Sequence, residues 1–133
     1  MKIPIVTDHV PVVMRWAVDI CSIANDRRIA EAILHDPHSG GNWMPGRWVR
    51  TFLTSVPEVE PEDFDVCPVV LAHPAEDRWT DVSLSLPFFE RLRRVETRLV
   101  MLEGCGHFPI EAPGRDTLAE TIFHELQRAA APA

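Results

Sequence analysis

The chain is poor in the features that most often assign a protein at sight. It has no run of about eighteen apolar residues, so no segment is predicted to cross a membrane as a helix. It has only 13 basic side chains against 20 acidic ones, a net charge of −7. A chain of that sign without a basic stripe is not expected to bind nucleic acid or an anionic bilayer. The one basic knot, Arg91, Arg93 and Arg94, reads as a solvated helix face. Cysteine is scarce. Cys21, Cys67 and Cys105 form an odd count without framework spacing, which fits free thiols in a reducing, cytoplasmic setting. The residues up to Val6 are too short an apolar stretch before Asp8 and His9 for a secretory signal. Gly40-Gly41 lacks a phosphate-loop context, and Cys67, His73, Cys105 and His107 do not fall at structural zinc spacings. No metal or other cofactor is therefore expected.

What is present is an ordinary globular composition. With 133 residues, 46% hydrophobic and 25% charged, the chain is long enough for one domain with a real core. Pro4 and Pro11 bracket an extended lead-in. From Val12 to Ile23, apolar residues recur at spacings of three and four (Val12, Val13, Trp16, Ala17, Ile20, Ile23), which predicts an amphipathic helix. Asn25-Asp26 offers capping chemistry for a second helix with Ile29, Ile33 and Leu34 on one face, ended by Asp36-Pro37. Pro45 suits the start of a third, with Trp48, Val49, Phe52 and Leu53 as its apolar face.

The pattern then changes. Residues 58–66 hold five acids and a proline and read as a polar linker between a helical segment, 1–57, and a different region, 67–130. In that second region Pro68–His73 and Leu99–Leu102 are short continuous apolar runs, as in strands buried on both faces. Residues 81–94 and 115–130 have helical spacing, the latter through Leu118, Ile122 and Leu126, with a tail fraying from Ala129. The fold class expected is α/β: a helical segment followed by a β-α-β-α unit with parallel strands.

Two sharp turns follow the two predicted strands. Ala75-Glu76-Asp77-Arg78-Trp79-Thr80 succeeds the first, and Gly104-Cys105-Gly106-His107-Phe108 the second. In an open parallel sheet, functional side chains gather beyond the carboxyl ends of the strands. Asp77 and His107 lie 107 − 77 = 30 residues apart, the length of one strand-plus-helix crossover, so parallel neighbouring strands would bring them to one rim. A carboxylate beside an imidazole fixes its tautomer and stabilises the imidazolium. Plainer roles remain open. Glu76 is a neighbouring alternative acid, Asp77 or Asp81 would serve as a helix cap, and His73 reads as a strand-end residue satisfied by backbone.

The stretch from Cys67 to the last helix resembles the C-terminal end of the α/β-hydrolase fold, in which nucleophile, acid and histidine follow one another along the chain. Asp77 in Ala-Glu-Asp-Arg-Trp-Thr resembles the acid loop. His107 in Gly-Cys-Gly-His-Phe-Pro resembles the histidine loop, extended by Phe108, Pro109 and Glu111. Residues 1–57 look like a helical cap or lid. The resemblance implies a partial α/β-hydrolase fold and a serine ester or lipid hydrolase, with His107 as base and acid and Asp77 orienting it.

The pattern departs from the family at the nucleophile. Ser22, Ser39, Ser55, Ser83 and Ser85 are the serines, and none lies in Gly-x-Ser-x-Gly between a strand and a helix. Cys105 sits on the histidine turn itself and cannot also take the nucleophile's place. A small apolar ester-like substrate is implied only if a nucleophile completes the site. Trp79, Phe108 and Trp48 are its candidate pocket residues, while Trp16 and Phe52 read equally as core. A two-stranded sheet leaves edges and a face uncovered, so self-association or a partner chain is expected. The alternative function is a catalytically silent interaction module.

Overall fold

A computed structural model of the chain describes residues 8, 10–13, 16, 19–38 and 43–131. The chain divides into two units, Met1–Cys21 with Asp26–Glu58, and Ser22–Asn25 with Val59–Ala133.

The first unit is not all helical. Pro11–Val13 (β1) and Trp43–Pro45 (β2) pair antiparallel, with Val12 opposite Met44. The expected helix from Val12 to Ile23 therefore does not begin at Val12. Adjacent β-branched valines favour the extended chain, and a proline at the strand end forfeits no needed donor. Ile20–Ser22 is a 3-10 turn, and much of the expected helix between lies outside the described residues, as do residues 39–42 of the loop and most of the extended lead-in.

The next two helices form where the capping chemistry and apolar spacing place them. Arg27–His35 (α1) opens on Asp26, whose carboxylate accepts from the Arg28 N–H at 2.8 Å. Gly46–Thr54 (α2) begins directly after β2. Arg50 on α2 forks onto Asp8 with both contacts at 2.9 Å. The apolar face of α2 is not core: Trp48 stacks on Phe52 at 5.4 Å, and both remain largely exposed, as does Trp16.

The second unit carries the parallel pair. Val69–Pro74 (β3) and Thr97–Leu102 (β4) run side by side, from Val69 opposite Thr97 to Pro74 opposite Leu102. The crossover between them is shorter in helix than residues 81–94 suggest. Asp81 caps a 3-10 turn, Val82–Leu84, by accepting from the Ser83 N–H, and the α-helix proper is only Leu86–Phe89 (α3). Pro87 is the cause: its ring excludes an α-helical carbonyl four residues back, so the helix starts around it. The long helix Gly114–Ala130 (α4) keeps its shape through Ala129, where fraying was expected.

Residues 58–66 are not a free linker. The described structure assigns Val59 onward to the second unit. A 3-10 turn, Pro61–Asp63, buries Pro61, and its acids are engaged by the basic knot: Arg91 pairs with Glu60 and Glu62, and Arg94 with Asp63. The arginines read as a solvated face instead hold this acidic segment. The core of the unit lies at the carboxyl end of the strands, where Leu102, Cys105, Ala24 and Ile23 are buried. The opposite situation holds along α4. Ile122, Phe123 and Leu126 are more than half exposed, and Leu118, Ile122 and Leu126 line an apolar groove of about 720 Å³ against Val70 and Ala72 of β3.

Candidate active site

The parallel register brings the two turns together. Beyond β3, the Ala75 N–H donates to Leu102 O at 3.0 Å, and the Glu76 N–H donates to Cys105 O at 3.1 Å. These bonds continue the ladder past the strand ends, so backbone bonds fasten the acid turn to the end of β4 and to the histidine turn. Gly104 opens the second turn with φ of 73°, a left-handed conformation that suits glycine. Cys105 is fully buried, its thiol donating to Glu111 O at 3.0 Å. Burial pushes that thiol upward in pKa, which keeps it a neutral packing group rather than a nucleophile. Gly114 must be small, because a Cβ there would lie 2.5 Å from the Cys105 Sγ and 2.7 Å from Glu103 O. The start of α4 thus seats directly on the histidine turn.

Asp77 and His107 meet at the rim. The His107 Nδ1 lies 2.9 Å from Asp77 Oδ2. The Asp77 side chain is 2% exposed and the His107 ring 27% exposed. The remaining acceptor capacity of Asp77 is also used: Oδ1 takes the N–H groups of Trp79 and Thr80 at 2.8 and 2.9 Å, and Oδ2 takes the Thr80 hydroxyl at 2.8 Å. Burial alone would raise the carboxyl pKa. The Thr80 N–H, the His107 ring, the Thr80 hydroxyl and the Trp79 N–H outweigh it and bring the value down to about 2. Asp77 is therefore an anion at neutral pH. An anion at Oδ2 favours the tautomer with the proton on Nδ1, which leaves the Nε2 lone pair of a partly exposed ring free to take a proton. The Trp79 ring stands nearly perpendicular to the imidazole with ring centres 4.6 Å apart, and Phe108 lies at 5.8 Å on a tilted plane.

The alternatives resolve in geometry. Glu76 accepts from the Asn25 amide at 3.0 Å, while Asp77 is the acid at the His107 ring. Asp81 is the helix-type cap. His73 departs from the expected backbone satisfaction: it is buried, and its Nε2 has no hydrogen-bond partner among the described residues, lying 4.0 Å from Asp77 Oδ2. Of the candidate pocket residues, Trp79 and Phe108 adjoin the imidazole, while Trp48 belongs to the other unit. A hollow of about 500 Å³ beside the acid turn is lined by Asn25, Glu76 and Arg78. Two participants were missed from sequence. Thr80 is marked only by Asp-x-x-Thr spacing, a local side-chain-to-backbone turn signal. The segment around Asn25 carries no local sign of its role. No group of three His, Cys, Asp or Glu side chains among the described residues is placed to hold a metal ion, and no described helix is long and apolar enough to cross a membrane.

The arrangement of elements has counterparts among solved structures. A soluble variant of monoglyceride lipase from Saccharomyces cerevisiae, solved with a substrate analogue, matches with a TM-score of 0.69 at 16% identity, over 90% of this chain and 44% of the lipase. A monoacylglycerol lipase from Paleococcus ferrophilus matches with a TM-score of 0.67, again at 16% identity, over 92% of this chain and 47% of that one. The chain has part of the α/β-hydrolase fold. It spans less than half the length of either lipase. No protein-family model and no curated protein matches it. The likeness thus rests on the folded structure at low sequence identity, and the turns described above sit at the carboxyl ends of the parallel strands β3 and β4.

Proposed function

We propose that this chain carries the acid and the histidine of a serine-type ester or lipid hydrolase, and acts on a small apolar ester once a nucleophile from another segment or chain completes the site. The observation that carries this reading is the 2.9 Å contact between His107 Nδ1 and the buried, anionic Asp77. In the reaction, His107 Nε2 takes the proton of the attacking hydroxyl and later gives it to the leaving alcohol. Asp77 keeps the ring oriented and stabilises the imidazolium. Trp79 and Phe108, the two rings beside the imidazole, offer apolar surface to the acyl or alkyl part. The lipid-hydrolase folds of the two neighbours support the substrate class. No cofactor enters this chemistry. Free thiols at Cys21, Cys67 and Cys105 support a reducing, cytoplasmic setting.

The test is hydrolysis of a short p-nitrophenyl ester by the purified protein, with His107→Ala alongside. Turnover that disappears in the variant supports a site centred on His107. Equal background in both sinks activity of the chain by itself.

A second reading is favoured by a separate observation. The groove between β3 and α4, with Ile122 and Leu126 exposed along it, is the kind of apolar surface that a partner covers. In this reading the chain is a catalytically silent module that self-associates or joins a partner chain through that face. Sedimentation of the wild type against Ile122→Glu tests the self-association: loss of association in the variant supports it, and a monomeric wild type ends it.

A further inference from the structure

Resting on the reading of His107 as the catalytic base, we propose that Glu111 and Asn25 are positioning residues that hold its imidazole in register. Three segments distant in sequence converge on the histidine turn. The Glu111 carboxylate is divided between two backbone donors, taking the Asn25 N–H on Oε1 at 2.8 Å and the Gly106 N–H on Oε2 at 3.0 Å. It therefore ties the residue just before His107 to the stretch Ser22–Asn25. On the other side of His107, the Phe108 N–H donates to Ile23 O at 3.0 Å. The Asn25 amide closes the set, reaching Glu76 Oε2 at 3.0 Å and Gly104 O at 3.4 Å, so the same residue fastens the acid turn and the start of the histidine turn.

The packing agrees with a brace. Ile23 and Ala24 are 5% and 1% exposed, although they lie between segments of the other unit in sequence. A Cβ on Gly106 would stand 3.0 Å from the Asn25 nitrogen and 3.1 Å from the Ala24 Cα, so the backbones of the brace and the turn are in direct contact. A carboxylate shared by two backbone N–H groups makes charge-assisted bonds, stronger than neutral ones. It fixes both segments by geometry rather than by side-chain fit. His107 is held from its preceding and following residues at once, which leaves its ring few ways to rotate off Asp77. Glu111 touches no reacting atom, so its effect passes through His107.

The test is ¹H–¹⁵N NMR of the full chain, reading the His107 ring nitrogens, its Nδ1–H signal and the hydrogen exchange of the Gly106 amide. The probes are Glu111→Gln and Asn25→Ala. Gln keeps the shape but replaces one acceptor by a donor. The expected result in Glu111→Gln is a broadened or lost Nδ1–H signal, mixed His107 tautomers, and Gly106 exchange faster by about tenfold or more. Asn25→Ala keeps its backbone donor and is expected to shift the His107 ring signals less. A folded Glu111→Gln with a sharp Nδ1–H signal and unchanged ring shifts overturns the proposal. Should that variant not fold, Asn25→Ala decides: unchanged His107 ring signals and Gly106 exchange overturn it. A wild type lacking the Nδ1–H signal counts against the Asp77–His107 couple instead, and Gly106 exchange in the variants then still decides the brace.

Discussion

The two sides of the β3–β4 unit are finished to very different degrees. At the carboxyl ends of the strands, the two turns are densely hydrogen-bonded, although the buried His73 Nε2 has no partner among the described residues. Asp77 accepts four hydrogen bonds, Cys105 is fully buried, and α4 starts in contact with the turn. Along the side of the same unit, α4 presents Ile122, Phe123 and Leu126 to solvent over an apolar groove. The first region is closed by groups from within the unit. The second is shaped like a core that lacks its other wall. Order at a rim thus does not require a complete sheet, because the turns are pinned by backbone bonds and one carboxylate rather than by broad apolar burial.

Removing the closeness of the rim should have the largest effect. Gly114→Ala forces a Cβ to within 2.8 Å of the Leu102 backbone carbon as well as onto Cys105. A loss of about 3 kcal/mol or more is expected in urea unfolding. A loss under about 1 kcal/mol would mean the helix start relaxes easily and the rim is less rigid than described.

Acid should act next, and again on the rim. The Asp77 carboxyl sits at about 2 when folded, against 3.8 for the ordinary side chain. A depressed folded value stabilises the protein above pH 3.8, and that stability disappears as pH falls towards 2. The contribution at stake is about 2 kcal/mol. In Asp77→Asn the fall in stability between those two pH values should be shallower than in wild type. Identical slopes would show that Asp77 gains little from its four donors.

The groove should respond in the opposite way. Ile122→Glu places a charge on a residue 51% exposed and should change the unfolding free energy of the chain by no more than about 0.5 kcal/mol, while the self-association proposed for that face should be lost. A large destabilisation of the monomer would show that the face is already covered within the chain. The smallest effect separates the thiols. Cys21 and Cys67 are exposed and Cys105 is buried, so a thiol reagent should label the first two promptly and Cys105 only as the protein opens. Rapid labelling of all three would mark the histidine turn as loose.

Much of this was legible along the chain. The apolar runs before each turn gave β3 and β4 to within two residues at either end, but the strands are not buried on both faces as expected: Thr97, Arg98 and Leu99 of β4 are exposed, and only the carboxyl ends of the pair are buried. That Asp77 and His107 meet at one rim was legible from the turn residues around them and from the length of one crossover. Other features were not. Val12-Val13 fits a helical face and a strand equally, and pairing with Trp43 and Met44 decided for the strand. Pro87 was visible, but its cost to residues 81–94 depends on where the turn capped by Asp81 ends.

Local chemistry settled what sequence neighbours can settle: where the two turns lie, which residues cap, and that no Gly-x-Ser-x-Gly is present. Tertiary structure settled which distant groups meet. That Asp77 rather than Glu76 faces His107 follows from the backbone bonds between the two turns. That Arg91 and Arg94 hold the acidic stretch, and that Ser22–Asn25 joins the histidine turn across 86 positions to Glu111, follows from the path of the folded chain. Spacing along a sequence carries the geometry of one helix or strand. It carries none for residues that meet only after the chain has folded back on itself.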